Sequence, residues 1–152
     1  MKPKSLTLIV VLLIVAAFAI WRSYTAGPQP QGHSMTPPDT SDLGPGDAIV
    51  NVNVPAVFSD PAKLGKTAFD AKCASCHGLN ATGQNGKAPP LVHKIYEPSH
   101  HSDMAFILAA QNGVRAHQWR FGDMPPVKGL TKSDVKNIAR YVRELQVENG
   151  IN

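Results

Sequence analysis

A chain of 152 residues with a net charge of +4, 43% hydrophobic and 17% charged residues has room for one ordinary globular domain and an appendage. Its charges neither gather in a run nor interleave with stacking aromatics, which excludes nucleic-acid binding as the leading reading. Two cysteines leave little material for cross-linking.

The appendage comes first. Residues 1–22 place Lys2 and Lys4 before an uncharged run from Ser5 to Trp21, closed by Arg22. As a helix the run would extend roughly 26 Å, enough to bridge a thin hydrocarbon core with Trp21 and Tyr24 as interfacial anchors. Ala17-Phe18-Ala19 also supplies the small residues of a cleavable signal peptide. No cysteine follows the run, so a lipid-modified N-terminus is excluded. The retained anchor, residues 5–21, is the preferred reading and the cleaved signal its alternative. Both leave the lysines inside and export the remainder to the periplasmic side of a bacterial inner membrane, or to the soluble periplasm if cleaved. An oxidising compartment disfavours a free reactive thiol pair.

Residues 23–59 change character, with six prolines, four glycines and no lysine or arginine. Such a segment buries no core and reads as a tether, reaching roughly 33 Å as a flexible coil. Within it Ala48–Val54 alternates valine with other residues, a pattern for one short strand that either lies against the domain or stays loose. His33 and Met35 read as solvated.

The folded domain, residues 60–152, is expected to begin at Asp60-Pro61, with aspartate as N-cap and proline in the first helical turn. Ala62, Leu64, Ala68 and Phe69 then give a helical apolar pattern. A second helix starts at Ser102-Asp103, carries Met104, Ile107, Leu108 and Gln111 on one face, and ends at Gly113; Met104 reads as core. A third is capped by Thr131 with Asp134 in its first turn, and its stripe is Val135, Ile138, Tyr141, Val142 and Leu145. There is no repeat and no alternation long enough for a sheet, so the fold class is all-α, with long proline- and glycine-marked loops. So thin a core needs a staple or a cofactor.

The cysteines identify it. Cys73-Ala-Ser-Cys76-His77 is the C-x-x-C-H arrangement of covalent haem c attachment. Cysteines three apart at a helix end face the same way, each toward one vinyl group, and the next residue supplies an imidazole to iron. A disulfide leaves His77 unexplained. A thioredoxin-like pair lacks its strand and βαβ context. Zinc lacks two further ligands. Met124 stands before Pro125, which biases it away from helix and into a stiff loop where a thioether can be aimed.

From Asp60 to about Val147 the chain resembles a class I cytochrome c domain. The resemblance implies that Gly65 and Phe69 form the contact face of the first helix, with Tyr141 crossing at the glycine. It implies that Pro90-Leu91 presents a carbonyl to His77. Met124, in Gly122-Asp-Met-Pro-Pro126, matches the distal-ligand loop. The implied site is Cys73, Cys76, His77 and Met124 on one covalent haem c, with His77 and Met124 as metal ligands. Six-coordinate iron makes an electron carrier, shuttling between membrane or periplasmic redox partners, or a haem subunit of a larger oxidoreductase.

His93, His100, His101 and His117 lie between the two ligands. They read as surface or propionate-contacting residues, with a copper site or His117 in place of Met124 as alternatives. A haem-based sensor or copper-handling module is the corresponding alternative function. Arg115, Trp119 and Arg120 are candidate propionate donors. From Asp60 onward twelve Lys and Arg oppose eight Asp and Glu, while the tether carries three acids, which points to weak docking on acidic redox partners.

Overall fold

The computed structural model describes residues 11–18, 20–22 and 35–152, in two units, Met1–His33 and Ser34–Asn152. In the first, residues 11–18 and 20–22 are helical, and the rings of Phe18 and Trp21 lie 5.8 Å apart. Among the described residues no helix is long and apolar enough to cross a membrane. Residues 5–10 of the expected anchor, Ala19, Tyr24 and His33 lie outside the described residues.

The second unit contains helices α1 (Asp60–Lys72), α2 (Ala74–His77), α3 (Asp103–Asn112) and α4 (Lys132–Glu148), with 3-10 turns at Leu79–Ala81 and Lys94–Tyr96. Its described residues hold two isolated bridges, Gln84 with Ala88 and Val114 with Met124. The all-α expectation holds. Helix α4 follows its sequence closely: Thr131 and Asp134 form a reciprocal capping box, and Val135, Ile138, Tyr141, Val142 and Leu145 are all buried.

Helices α1 and α4 make the main core. A Cβ at Gly65 would stand 1.9 Å from the Asn137 carbonyl oxygen, so the two backbones touch where only glycine fits. The crossing thus falls one turn before Tyr141, and Tyr141 instead packs on Phe69, ring centroids 5.5 Å apart, and on Phe58, 5.3 Å. Full burial of Phe69 and Tyr141 contributes several kcal/mol, at about 1.5–3 kcal/mol per large apolar side chain. A smaller cluster joins Ile107 and Ala110 of α3 to Val135 of α4.

Three boundaries differ from the sequence reading. The N-cap of α1 is Ser59, not Asp60: its side chain accepts from the Ala62 N–H, and Asp60 sits in the first turn. Met104 is 56% exposed and Leu108 50%, because α3 buries the Ile107–Ala110 face rather than the 104–108–111 face. The third concerns the expected tether, whose described part belongs to the folded unit from residue 35 onward, where Met35 is half-buried. Asn85 exchanges backbone bonds with Gly46 and Asp47, at 2.9 and 2.8 Å. Ile49 and Val50 both donate to the Thr82 carbonyl. Asn53 and Asn149 bond reciprocally, and Val52 and Phe58 pack on the core. Residues 48–54 lie against the domain but form no strand: their N–H groups go to a loop and a side chain instead of a ladder.

Candidate haem site

Helix α1 delivers the attachment motif. Cys73 caps its C-terminus, with the N–H bonded to Phe69 O at 2.7 Å, and its own carbonyl accepts from both Cys76 and His77. That single turn, α2, puts the three side chains on consecutive corners of one tight bend. Gly78 ends it at φ +75, and a Cβ there would meet Thr82 Oγ1 at 2.5 Å. The chain folds back so closely that the Gly83 N–H reaches His77 O at 2.7 Å. Cys73 is half-buried and Cys76 exposed, both free thiols. Burial, then the neighbouring Cys76, push the Cys73 thiol up to about 11, which is the wrong direction for a reactive thiolate pair.

His77 is 8% exposed, and its Nδ1 lies 2.9 Å from the Pro89 carbonyl oxygen. A carbonyl only accepts, so Nδ1 carries the hydrogen and Nε2 keeps its lone pair. Burial pushes the imidazole pKa down, partly opposed by that bond, so the ring is neutral at pH 7. These are the properties of a metal-ready imidazole with its tautomer fixed. The acceptor is the first of two successive prolines, Pro89, rather than the Pro90-Leu91 pair expected from the sequence.

Met124 is held by backbone. It exchanges two 2.9 Å bonds with Val114, just past the end of α3, and Val127 N–H donates to Ala110 O at 2.8 Å. Asp123 accepts from the Ala116 N–H. Residues 114–124 therefore form a closed loop with Met124 at its base and its side chain half-buried. On this loop Trp119 is 9% exposed and stacks on Phe121, centroids 5.6 Å apart. Among the described residues the indole Nε1 is buried without a hydrogen-bond partner, as is Gln118 Oε1. The Tyr96 hydroxyl, pushed up to about 12 chiefly by burial, is near enough to Trp119 for the indole to oppose that rise, yet no well-formed bond joins them. An orphaned indole N–H fits a carboxylate acceptor of the kind haem carries. Arg115 and Arg120 on the same loop are exposed.

The other histidines have local partners. His93 Nδ1 accepts from the Ile95 N–H, and His101 Nδ1 meets Ile95 O at 2.6 Å. His117 Nδ1 meets Arg115 O at 2.9 Å, and His100 Nε2 lies 3.3 Å from the Glu97 carboxylate. Among the described residues no three His, Cys, Asp or Glu side chains come together as a metal site.

Sequence reasoning missed Gln146, which is fully buried and donates to Leu91 O at 2.8 Å. The signal was a lone amide in the apolar stripe, one turn after Val142.

The residues present fit a covalent haem: two thiols on one turn, an imidazole whose Nδ1 is tied to a carbonyl, a methionine clamped through its backbone and an indole N–H with no partner among the described residues. A family model described as cytochrome c matches residues 62–146. The chain is 33% identical over 90 residues to cytochrome c-554(547) of Halothiobacillus neapolitanus, covering 56% of this chain and 97% of that protein. It is also 33% identical over 103 residues to the Cbb3-type cytochrome c oxidase subunit CcoP of Azospirillum brasilense, covering 64% of this chain but only 32% of that subunit. No solved structure matches. The chain belongs to the cytochrome c family: its all-α domain binds one covalent haem c and carries electrons, and it is not itself an enzyme.

Proposed function

We propose that Cys73 and Cys76 would hold the haem through thioethers, that His77 and Met124 would be its iron ligands, and that the domain carries electrons at the periplasmic face of a bacterial inner membrane. The observation that carries this reading is the His77 ring, buried and pinned through Nδ1 to Pro89 O at 2.9 Å, which leaves the Nε2 lone pair for iron. The bound haem supplies a one-electron couple, and thioether ligation favours its ferrous state. The chain's own residues do the rest. Pro89 holds the imidazole's orientation, the Val114 bridge holds the Met124 backbone, and Trp119 offers a buried N–H.

The uncharged run of residues 5–21 after Lys2 and Lys4 supports a retained anchor. The likeness to an oxidase subunit supports a membrane oxidoreductase as redox partner, and the excess of basic residues from Asp60 onward supports acidic surfaces on it. The test is the response of the reduced, haem-loaded protein to carbon monoxide. A six-coordinate carrier gives an unchanged spectrum; prompt formation of an adduct would place the protein among ligand-binding haem proteins and overturn the reading.

A further inference from the structure

We propose that Gln146, oriented by Arg143, is a positioning residue for the proximal imidazole and acts on it through the stiff segment Pro89–Leu91. The proposal rests on the reading of His77 as an iron ligand.

Gln146 is fully buried in the α4 stripe, and both ends of its amide are engaged. Nε2 donates to Leu91 O at 2.8 Å and to Tyr96 O at 3.0 Å, and Oε1 accepts from Arg143 Nη1 at 2.6 Å. A guanidinium has donors only, so the amide atom facing it must be oxygen, and the nitrogen must face Leu91. Arg143 is itself anchored. It donates to Tyr96 O at 2.7 Å, to Asp103 Oδ1 at 2.9 Å and to His101 O, with its guanidinium 5.1 Å from the Phe106 ring centroid.

Leu91 is gripped from both sides, since its N–H donates to Ala81 O at 3.0 Å. Ala81 and Asn80 have φ of 60° and 53°, a left-handed pair that L-residues rarely adopt. The Tyr141 hydroxyl holds that pair by donating to Asn80 Oδ1 at 3.0 Å. Helix α4 therefore reaches Leu91 by two routes, Gln146 on its carbonyl and Tyr141 through the turn that receives its N–H.

Upstream of Leu91 stand Pro89 and Pro90. Each ring fixes φ, and Pro90 confines Pro89 to extended backbone. The three residues have little freedom to bend between the Leu91 grip and the Pro89 carbonyl, which is the acceptor for His77 Nδ1–H. An apolar residue at 146 would fill the stripe without burying an amide. What the amide adds is a fixed direction for that carbonyl. A well-aligned bond at Nδ1 raises the basicity of the imidazole and favours ferric iron, so loosening the segment raises the reduction potential.

The experiment uses the full haem-loaded chain with Gln146→Glu and Gln146→Met. Glutamate keeps an acceptor for Arg143 but cannot donate to Leu91; methionine keeps the volume alone. Potential, Leu91 amide exchange, the His77 Nδ1–H resonance and thermal unfolding are read together. The expected result is Leu91 N–H exchange accelerated roughly tenfold in both, equivalent to about 1.4 kcal/mol, as the segment loosens about the N–H bond to Ala81 O, a shifted Nδ1–H resonance, and a potential raised so that the reduced fraction at fixed ambient potential grows a few-fold. A lower melting temperature with potential and Nδ1–H resonance unmoved would mean that Gln146 is structural only, and the proposal fails. Should both variants misfold, the native protein still decides: Leu91 N–H and His77 Nδ1–H are expected to exchange with equal protection, and unequal protection contradicts the coupling. Failure of the ligand reading looks different, because the native spectrum would then lack a low-spin six-coordinate haem whatever stands at position 146.

Discussion

Gly113 shows how much of the distal loop depends on one missing side chain. It ends α3 at φ +74, and a Cβ there would stand 2.5 Å from the Met124 carbonyl oxygen and 3.1 Å from Pro126 Cδ. Gly113→Ala adds the left-handed penalty of about 1–2 kcal/mol and pushes on the backbone that carries Met124. We expect the haem to remain covalently attached while the long-wavelength iron-thioether band weakens. Gly122→Ala is the control, since its φ is +86 but nothing lies within 4 Å; strain without displacement should leave the band in place. At this scale the cysteines, His77 and Met124 could be singled out from residue type and spacing. Pro89 could not, because two successive prolines offer two carbonyls and the sequence does not say which one faces the imidazole. Gln146 escaped for a related reason: a stripe reading counts apolar positions and passes over the polar residue that interrupts them.

Helix α1 is fixed at its N-terminal end by α4. Ser59 caps it and also binds Glu144, its hydroxyl at 2.6 Å from Oε1 and its N–H at 3.0 Å from Oε2, and Arg140 adds a bond to the same carboxylate. Burial works to raise the Glu144 pKa, but the Ser59 and Arg140 hydrogen bonds outweigh it and hold it below the ordinary value. A lowered folded value means stability that is fully present above the ordinary glutamate value of about 4.3 and is lost as pH falls through the lower folded one. Ser59→Ala should cost about 1–2 kcal/mol in denaturant unfolding at neutral pH and flatten the acid limb of the stability profile. Gly65→Ala should cost about 3 kcal/mol, the upper end for overpacking, because the obstacle is the Asn137 backbone rather than a movable side chain. The capping box and stripe of α4 were legible because strong local signals agreed with the burial. The face of α3 was not: a helix whose apolar residues are spread around its circumference leaves its rotation to be set by packing, which turned Met104 outward.

At the scale of the molecule, the stretch that composition marks as a tether divides into two roles. Its later part, from about residue 43, clasps the 82–85 loop and the end of α4 through backbone and asparagine bonds, and it carries Val52 and Phe58 onto the core. Proline and glycine content reports an inability to form helix or strand. It does not report whether a segment docks, since backbone hydrogen bonds to a loop leave no signature in residue type. A chain beginning at residue 40 should unfold at the same denaturant concentration as the full domain. One beginning at residue 60 should lose about 3 kcal/mol or more through the missing Phe58 and Val52 packing, with the haem still attached. Equal stability of the two truncations would show that the clasp is incidental.

The most direct test of the ligand assignment is the optical spectrum of the chain matured with haem, oxidised and then reduced, native against Met124→Ala. The account predicts a covalent low-spin haem in the native protein, a long-wavelength iron-thioether band in its oxidised form, and loss of that band with a lowered potential in the variant. A variant spectrum identical to the native one would mean that Met124 does not hold the sixth position, and the His77/Met124 account would be wrong.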